Sequence, residues 1–189
     1  GLCDLGKMPL LEGLTLIREY MEKNPGEVIT IIFESYVSPE DTAEVFAESG
    51  IDQYLYTHPA GLPWPTLRQM LEDEQRLVVF SDDSTGSPDW YHPVWSYAFE
   101  THFHYEHAND MNCDLNRGTS GNDLFILNHF ITNPWAQQRF AEIVNRNPFL
   151  FERVQTCTAA GSHIANFVTV DFVSVGDTLS VVDSANGVQ

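Results

Sequence analysis

Four short runs of this chain are apolar on both alternations: residues 28–33 (VITIIF), 76–80 (RLVVF), 124–128 (LFILN) and 167–170 (FVTV). A strand with one wet face alternates, whereas a strand buried on both faces does not. Runs of this kind therefore belong to a sheet covered on both sides, as in parallel α/β folds. Stretches of helical character lie between them. Residues 9–23 carry Leu10, Leu14, Ile17 and Met21 at helical spacing and stop at Asn24-Pro25-Gly26. Ser38-Pro39-Glu40-Asp41 reads as the cap of a second helix ending near Ser49, and residues 65–73 form a third. Asn133-Pro134 opens a fourth, and residues 175–186 form the last before Gly187. Strand and helix alternate at the period of βα units.

Counting those units selects the architecture. A complete (β/α)₈ barrel takes about 250 residues, and these 189 residues supply four clear strands. A fifth is expected around residues 95–99. It lies inside a segment, 81–121, that is rich in Asp, Ser, Gly, His and aromatic residues and has no helical period. Long irregular connections of this kind sit over the functional face of such folds. The expected fold is thus α/β, the C-terminal portion of a TIM-type barrel formed as one domain over residues 1–189. The first strands would lie before Gly1, since the chain opens with a turn and a helix. The competing architecture is an open doubly wound sheet. No glycine-rich phosphate loop follows the first strand, which removes the commonest reason to prefer it.

Charge narrows the partners. Nine basic residues against 27 acidic ones give −18, and the few Lys and Arg do not cluster, which excludes a nucleic-acid-binding face. The same charge repels an anionic membrane surface over about a Debye length, although solubility alone accounts for an acidic chain. No stretch reaches the roughly 18–20 apolar residues that would span a bilayer. The opening on Gly1 rather than Met, inside an apolar motif, reads as a processed or truncated N-terminus. Cys3, Cys113 and Cys157 show no zinc spacing. In an extracellular, secreted chain Cys113 would pair with Cys157 and Cys3 with a cysteine upstream. In a reducing compartment all three would be free thiols.

Each apolar run ends in residues capable of chemistry: Glu34 after the first, Ser81-Asp82-Asp83 after the second, Asn128-His129 after the third, Asp171 after the fourth. In parallel barrels the strand C-termini form the catalytic face, so Glu34, Asn128 and Asp171 are the first candidates. Any strand reaching water also ends in polar residues, but four in succession carry more weight than one. Arg117, in Asn116-Arg117-Gly118, is the cation expected near that mouth. It is suited either to grip a phosphate bidentately or to fix the loop after Cys113 through a salt bridge. His102 and His104, with His107 nearby, have a spacing that can bind a transition metal, yet lack a second cluster and read as an exposed loop. His129 reads as a core or supporting residue, and His58, His92 and His163 as surface or loop positions. Trp90, Tyr91, Trp95, Tyr97 and Phe99 would form either a ligand-facing rim or the packing of the long loop.

Taken in order, several motifs resemble the PI-PLC X-domain-like phosphodiesterases. They are residues 1–6 (GLCDLG), Asn24-Pro25-Gly26-Glu27-Val28 leading to Ile31-Ile32-Phe33-Glu34, and Trp64-Pro65-Thr66-Leu67. Asn112-Cys113, Asn116-Arg117-Gly118, residues 124–130 and residues 166–172 (NFVTVDF) complete the set. The resemblance implies a phospholipase C-like barrel and phosphodiester cleavage by two histidines. One takes the proton of an inositol 2-hydroxyl that attacks phosphorus, and the other protonates the departing oxygen. Charge building on the phosphoryl group is met by an arginine in metal-independent members and by Ca²⁺ in others. Both histidines map before Gly1, one of them immediately. Asp171 matches the residue that orients the general base. Glu34 matches a Ca²⁺-ligand position, and a carboxylate there tilts the expectation toward Ca²⁺. Arg117 and Asn128 are the expected substrate-binding residues.

Two functions follow from different classes. One is a phosphoric diester hydrolase acting on a phosphodiester, such as a phosphoinositide lipid, completed by an N-terminal part. The other is a catalytically silent barrel used for binding or assembly, with a preceding segment or a partner chain covering its open sheet edges. Metal-dependent hydrolysis at His102 and His104 is a distant third.

Overall fold

The computed structural model describes residues 7–82, 87–161 and 163–188. The opening hexapeptide with Cys3, and Asp83, lie outside the described residues. The chain is an α/β protein built as two compact units, Gly1–Val94 and Trp95–Gln189.

In the first unit, helix α1 (Leu10–Lys23) is followed by strand β1 (Ile29–Phe33), helix α2 (Pro39–Ser49), helix α3 (Leu67–Glu72), strand β2 (Leu77–Ser81) and strand β3 (Tyr91–Pro93). The three strands form a parallel sheet in the order β1-β2-β3, with Ile29 opposite Leu77 and Val79 opposite Tyr91. The central strand β2 is buried throughout, as its unbroken apolar run requires. The edge strand β1 leaves Ile32 43% exposed despite an equally apolar sequence. Leu14, Met21, Phe46, Ile51, Leu77, Val79 and Tyr91 make the core. Arg76 opens the β2 segment and is buried beneath the end of α1, donating to the carbonyls of Met21, Asn24 and Glu27. A cation gathering the last carbonyls of a helix satisfies groups that have no partner inside it, which is why α1 stops at Asn24-Pro25-Gly26. Helix α2 begins where expected, with Ser38 Oγ accepting from Asp41 N and Gly50 closing it in a left-handed conformation.

In the second unit, strands β4 (Ala98–Glu100), β5 (Leu124–Asn128) and β6 (Phe167–Thr169) form another parallel sheet in the order β4-β5-β6. A four-residue helix α4 (Val94–Tyr97), which starts at the last residue of the first unit, leads into β4, and helices α5 (Gln138–Val144), α6 (Phe149–Gly161) and α7 (Thr178–Ala185) complete the chain. Phe99, Phe125, Leu127, Leu150, Val154, Cys157 and Val181 form the core, with Phe99 and Phe125 stacked at 4.8 Å. Cys113 and Cys157 are joined in a disulfide, as the pairing of the two later cysteines anticipates.

Several elements depart from expectation. The strand expected at residues 95–99 is β4, shifted by a turn of helix, and β3 was not foreseen. Both are three residues long, too short to show a period. Helix α6 was also not foreseen. Its buried Leu150, Val154 and Cys157 keep helical spacing, but Phe, Val, Thr and Cys are weak helix formers. The fourth helix opens at Gln138 rather than at Asn133-Pro134. The intervening residues form a turn, with Thr132 bridged to Ala136 and Gln137 Nε2 donating to Asn133 O. His58 lies in a loop, as read, but is buried, and His92 is buried within β3 and not at a surface or loop position. His58 stacks flat on Trp64 at 4.1 Å, and His92 packs edge-on against the same indole.

Candidate functional site

The polar strand ends are used differently in the two units. In the first, Ser35 N donates to Asp82 Oδ1 at 2.8 Å, the Ser35 and Ser81 hydroxyls are bonded, and Asp82 N donates to Phe33 O. These bonds tie the ends of β1 and β2 together. Glu34 stands exposed beside them. A Ca²⁺ ion takes roughly six to eight oxygens. Glu34 offers one carboxylate, Asp82 is already accepting from Ser35, and no group of three His, Cys, Asp or Glu able to hold an ion occurs among the described residues. The donor set around Glu34 does not by itself fit Ca²⁺.

In the second unit the strand ends converge on a carboxylate that sequence reasoning missed. Glu100, the last residue of β4, is 2% exposed. Its Oε1 accepts from Asn116 Nδ2 at 2.9 Å and from Arg117 Nε at 2.5 Å, and its Oε2 accepts from Asn128 Nδ2 at 2.8 Å. A buried carboxylate is tolerated only when its lone pairs are met, and here three donors meet them. The loop bearing Arg117 returns antiparallel to β4, with Asn116 N donating to Glu100 O and Glu100 N donating to Arg117 O. Gly118 permits this approach. A Cβ there would sit 2.1 Å from Ala98 O, and its φ is +78°.

Arg117 is thereby fixed as a plate. Its guanidinium lies 4.2 Å from the Trp95 ring centroid and 4.6 Å from that of Phe103. Nε is spent on Glu100, while the side chain stays 42% exposed. The terminal nitrogens have no hydrogen-bond or ion-pair partner among the described residues. Of the two sequence readings of Arg117, the salt bridge is present, made to Glu100. Asn128 is 5% exposed, and its amide donates to Glu100 Oε2 and to Thr101 O. It holds the carboxylate that holds Arg117.

Beneath this cluster Arg153 of α6 donates to Asn112 O at 2.7 Å and to Asn128 O at 3.0 Å. It is buried without a carboxylate partner among the described residues, and burial pulls its pKa down. One helical turn further on, Cys157 bonds to Cys113, the residue after Asn112. Guanidinium and disulfide therefore pin the same point of the loop. Asp171 follows β6 by two positions. Its carboxyl is raised above the usual range by burial, and its backbone oxygen accepts from Asn145 Nδ2. No hydrogen bond or ion pair joins its side chain to the Glu100 cluster among the described residues. His129 is fully buried, with Nε2 2.8 Å from Val144 O. Desolvation, partly countered by that bond and reinforced by Arg153, lowers its pKa to about 4, so at neutral pH it is an uncharged packing residue. His102, His104 and His107 are exposed, as the loop reading requires.

Of the predicted residues, then, the structure brings Asn128 and Arg117 together through Glu100 and leaves Asp171 apart, two residues beyond the end of β6. Glu100 had the same signature as the others, a polar residue ending an apolar stretch. The stretch is only Ala98-Phe99, which hid it.

The class of protein this site defines is an α/β chain in which a parallel strand ends in a buried carboxylate that clamps an arginine of the following loop. A family model described as PI-PLC X 1 matches residues 2–186, and the chain belongs to that family. It is 27% identical over 198 residues to a PI-PLC X domain-containing protein of Arabidopsis thaliana, covering 95% of this chain and 45% of that protein. It is 25% identical over 194 residues to PI-PLC X domain-containing protein 1 of Arthroderma benhamiae, covering 92% and 63%. The chain therefore spans less than two thirds of either relative. No solved structure matches it.

Proposed function

We propose that this chain is part of a phosphoric diester hydrolase of the phosphatidylinositol-specific phospholipase C type. The six parallel strands of the described residues would belong to a (β/α)₈ barrel whose remaining strands, with the two catalytic histidines, precede Gly1. In this reading one histidine removes the proton of the attacking hydroxyl as the new P–O bond forms. The other gives a proton to the departing oxygen as the old P–O bond breaks. Asp171 orients the first. Arg117 meets the charge on the phosphoryl oxygens through its terminal nitrogens, and Glu100 with Asn128 keeps it in place. The observation that carries the reading is the Arg117 clamp: stacking on two rings and a bond at Nε leave only the anion-binding edge free. Any Ca²⁺ at Glu34 would need ligands from elsewhere in the full-length protein, so phosphoryl charge is assigned to Arg117. The disulfide supports an oxidising, extracellular setting.

The test is turnover by the full-length protein of phosphatidylinositol vesicles and of a soluble aryl phosphodiester. Arg117→Ala should lower kcat by about 10²–10³, the usual cost of one group stabilising transition-state charge. Arg117→Lys should recover little, because a point charge cannot both stack and fork. If the wild type turns over neither substrate while still binding inorganic phosphate through Arg117, the silent binding barrel is the better description.

A further inference from the structure

We infer that the cavity at the C-terminal end of β1 is a binding site for a methylated ammonium group, of the kind carried by choline. The cavity measures about 220 Å³ and is lined by Leu10, Phe33, Glu34, Tyr36, Val37 and Tyr91, with Ser35 and Thr42 completing it. Drug-sized ligands occupy roughly 300–1,000 Å³, so this space suits a compact group and not a long chain. Its walls are aromatic and aliphatic. Phe33 and Tyr91 meet edge to face at 6.1 Å, and Tyr36 (82% exposed) and Val37 (52% exposed) stand free at the rim.

The polar atoms around it are mostly committed. Thr42 Oγ1 donates to Ser38 O, the Ser35 hydroxyl is bonded to that of Ser81, and Ser35 N donates to Asp82. Glu34 supplies the one charge among the lining residues, and it is negative. Aromatic faces attract cations, and they do so best when the cation carries apolar substituents that surrender little hydration. A metal ion would need several uncommitted oxygens, whereas the Ser35 and Thr42 hydroxyls are already bonded, and an anion would meet both Glu34 and a chain of net charge −18. An organic cation satisfies every wall at once. The Asn24-Pro25-Gly26 stop and the Tyr36 N to Glu34 O turn place these groups without help from the Arg117 cluster. The inference thus stands independently of the phosphodiesterase reading.

The experiment titrates the complete chain, with Leu and Val methyls labelled for NMR, against choline, tetramethylammonium and 3,3-dimethyl-1-butanol, the neutral isostere of choline. Choline and tetramethylammonium should shift the Leu10 and Val37 methyls and bind about tenfold more tightly than the isostere, the scale of a partly desolvated cation–π contact. Glu34→Gln should erase most of that preference. Tyr36→Ala should weaken choline severalfold, and Tyr36→Phe should restore it. Both positions are exposed, so the variants should melt like the parent. Competition by phosphatidylcholine vesicles, but not phosphatidylglycerol vesicles, would identify a lipid head group as the ligand. Choline binding without such competition would identify a free base. Equal affinity for choline and its isostere, or no shift at Leu10 and Val37 with any of the three, overturns the proposal.

Discussion

Gly118 shows how one residue decides whether the candidate site exists. Its missing side chain lets the Arg117 loop lie against Ala98 and Phe99, where any Cβ would strike backbone. Gly118→Ala should cost roughly 2–3 kcal/mol from strained φ and steric overlap and should release Arg117 from Glu100. Gly121 has nothing within 4 Å of its Cβ position, so Gly121→Ala should stay within about 0.5 kcal/mol. Urea unfolding of the pair measures both. His129 makes a second residue-scale prediction. Its folded pKa of about 4 lies below the usual 6.5, so the unfolded chain binds the proton more readily. The stability it contributes is complete above pH 6.5 and is lost as pH falls toward 4, at up to about 1.4 kcal/mol per pH unit. His129→Gln should be less stable at pH 7 and lose less between pH 6.5 and 4. Parallel slopes for variant and parent would show that other groups govern acid unfolding. Asp171 has the opposite sign. Burial raises its pKa, so ionisation weakens the fold above the ordinary carboxylate pKa. Asp171→Asn should therefore leave the melting temperature at pH 7 unchanged or higher, while, on the proposed function, turnover by the full-length protein falls sharply.

At the scale of elements, the disulfide and α6 act together on the loop between β4 and β5. Cys113 and Cys157 are 44 residues apart, and closing a loop of that length is worth about 4 kcal/mol in the chain-entropy account, with 2–4 typical in practice. Cys113→Ser with Cys157→Ser should lower stability by about that amount in denaturant titrations. Arg153 should still hold Asn112, so Arg117 is expected to keep its stacking on Trp95 and Phe103. This scale also explains what the sequence could reveal. The buried central strands β2 and β5 announced themselves because full burial demands an unbroken apolar run. So did α1 and α2, which carry explicit stop and cap residues. The short strands β3 and β4 have no room for a period, and α6 is written in residues that locally favour other conformations. Glu100 was hidden with β4. Asn128 and Arg117 were legible as polar residues at strand ends and in a motif. That they share one carboxylate depends on a strand pairing between residues 98–100 and 124–126, which no local pattern encodes.

At the scale of the whole chain, the charge of −18 acts on every ligand before any contact forms. The field reaches about 30 Å at 0.01 M salt and about 10 Å at 0.1 M. On the proposed function an anionic phosphodiester approaches Arg117 against it, and screening removes the repulsion while the short-range fork to the phosphate is less affected. The KM for an anionic substrate should therefore fall as salt rises from 0.01 to 0.15 M, the reverse of what a basic site shows. A methylated ammonium approaching Glu34, Tyr36 and Phe33 is drawn in by the same field, so its affinity should weaken over the same range. Measuring both dependences on one preparation separates the long-range term, which inverts with ligand charge, from the local contacts, which do not. If both dependences ran in the same direction, the field of the chain would not govern access, and the placement of one or the other ligand would be wrong.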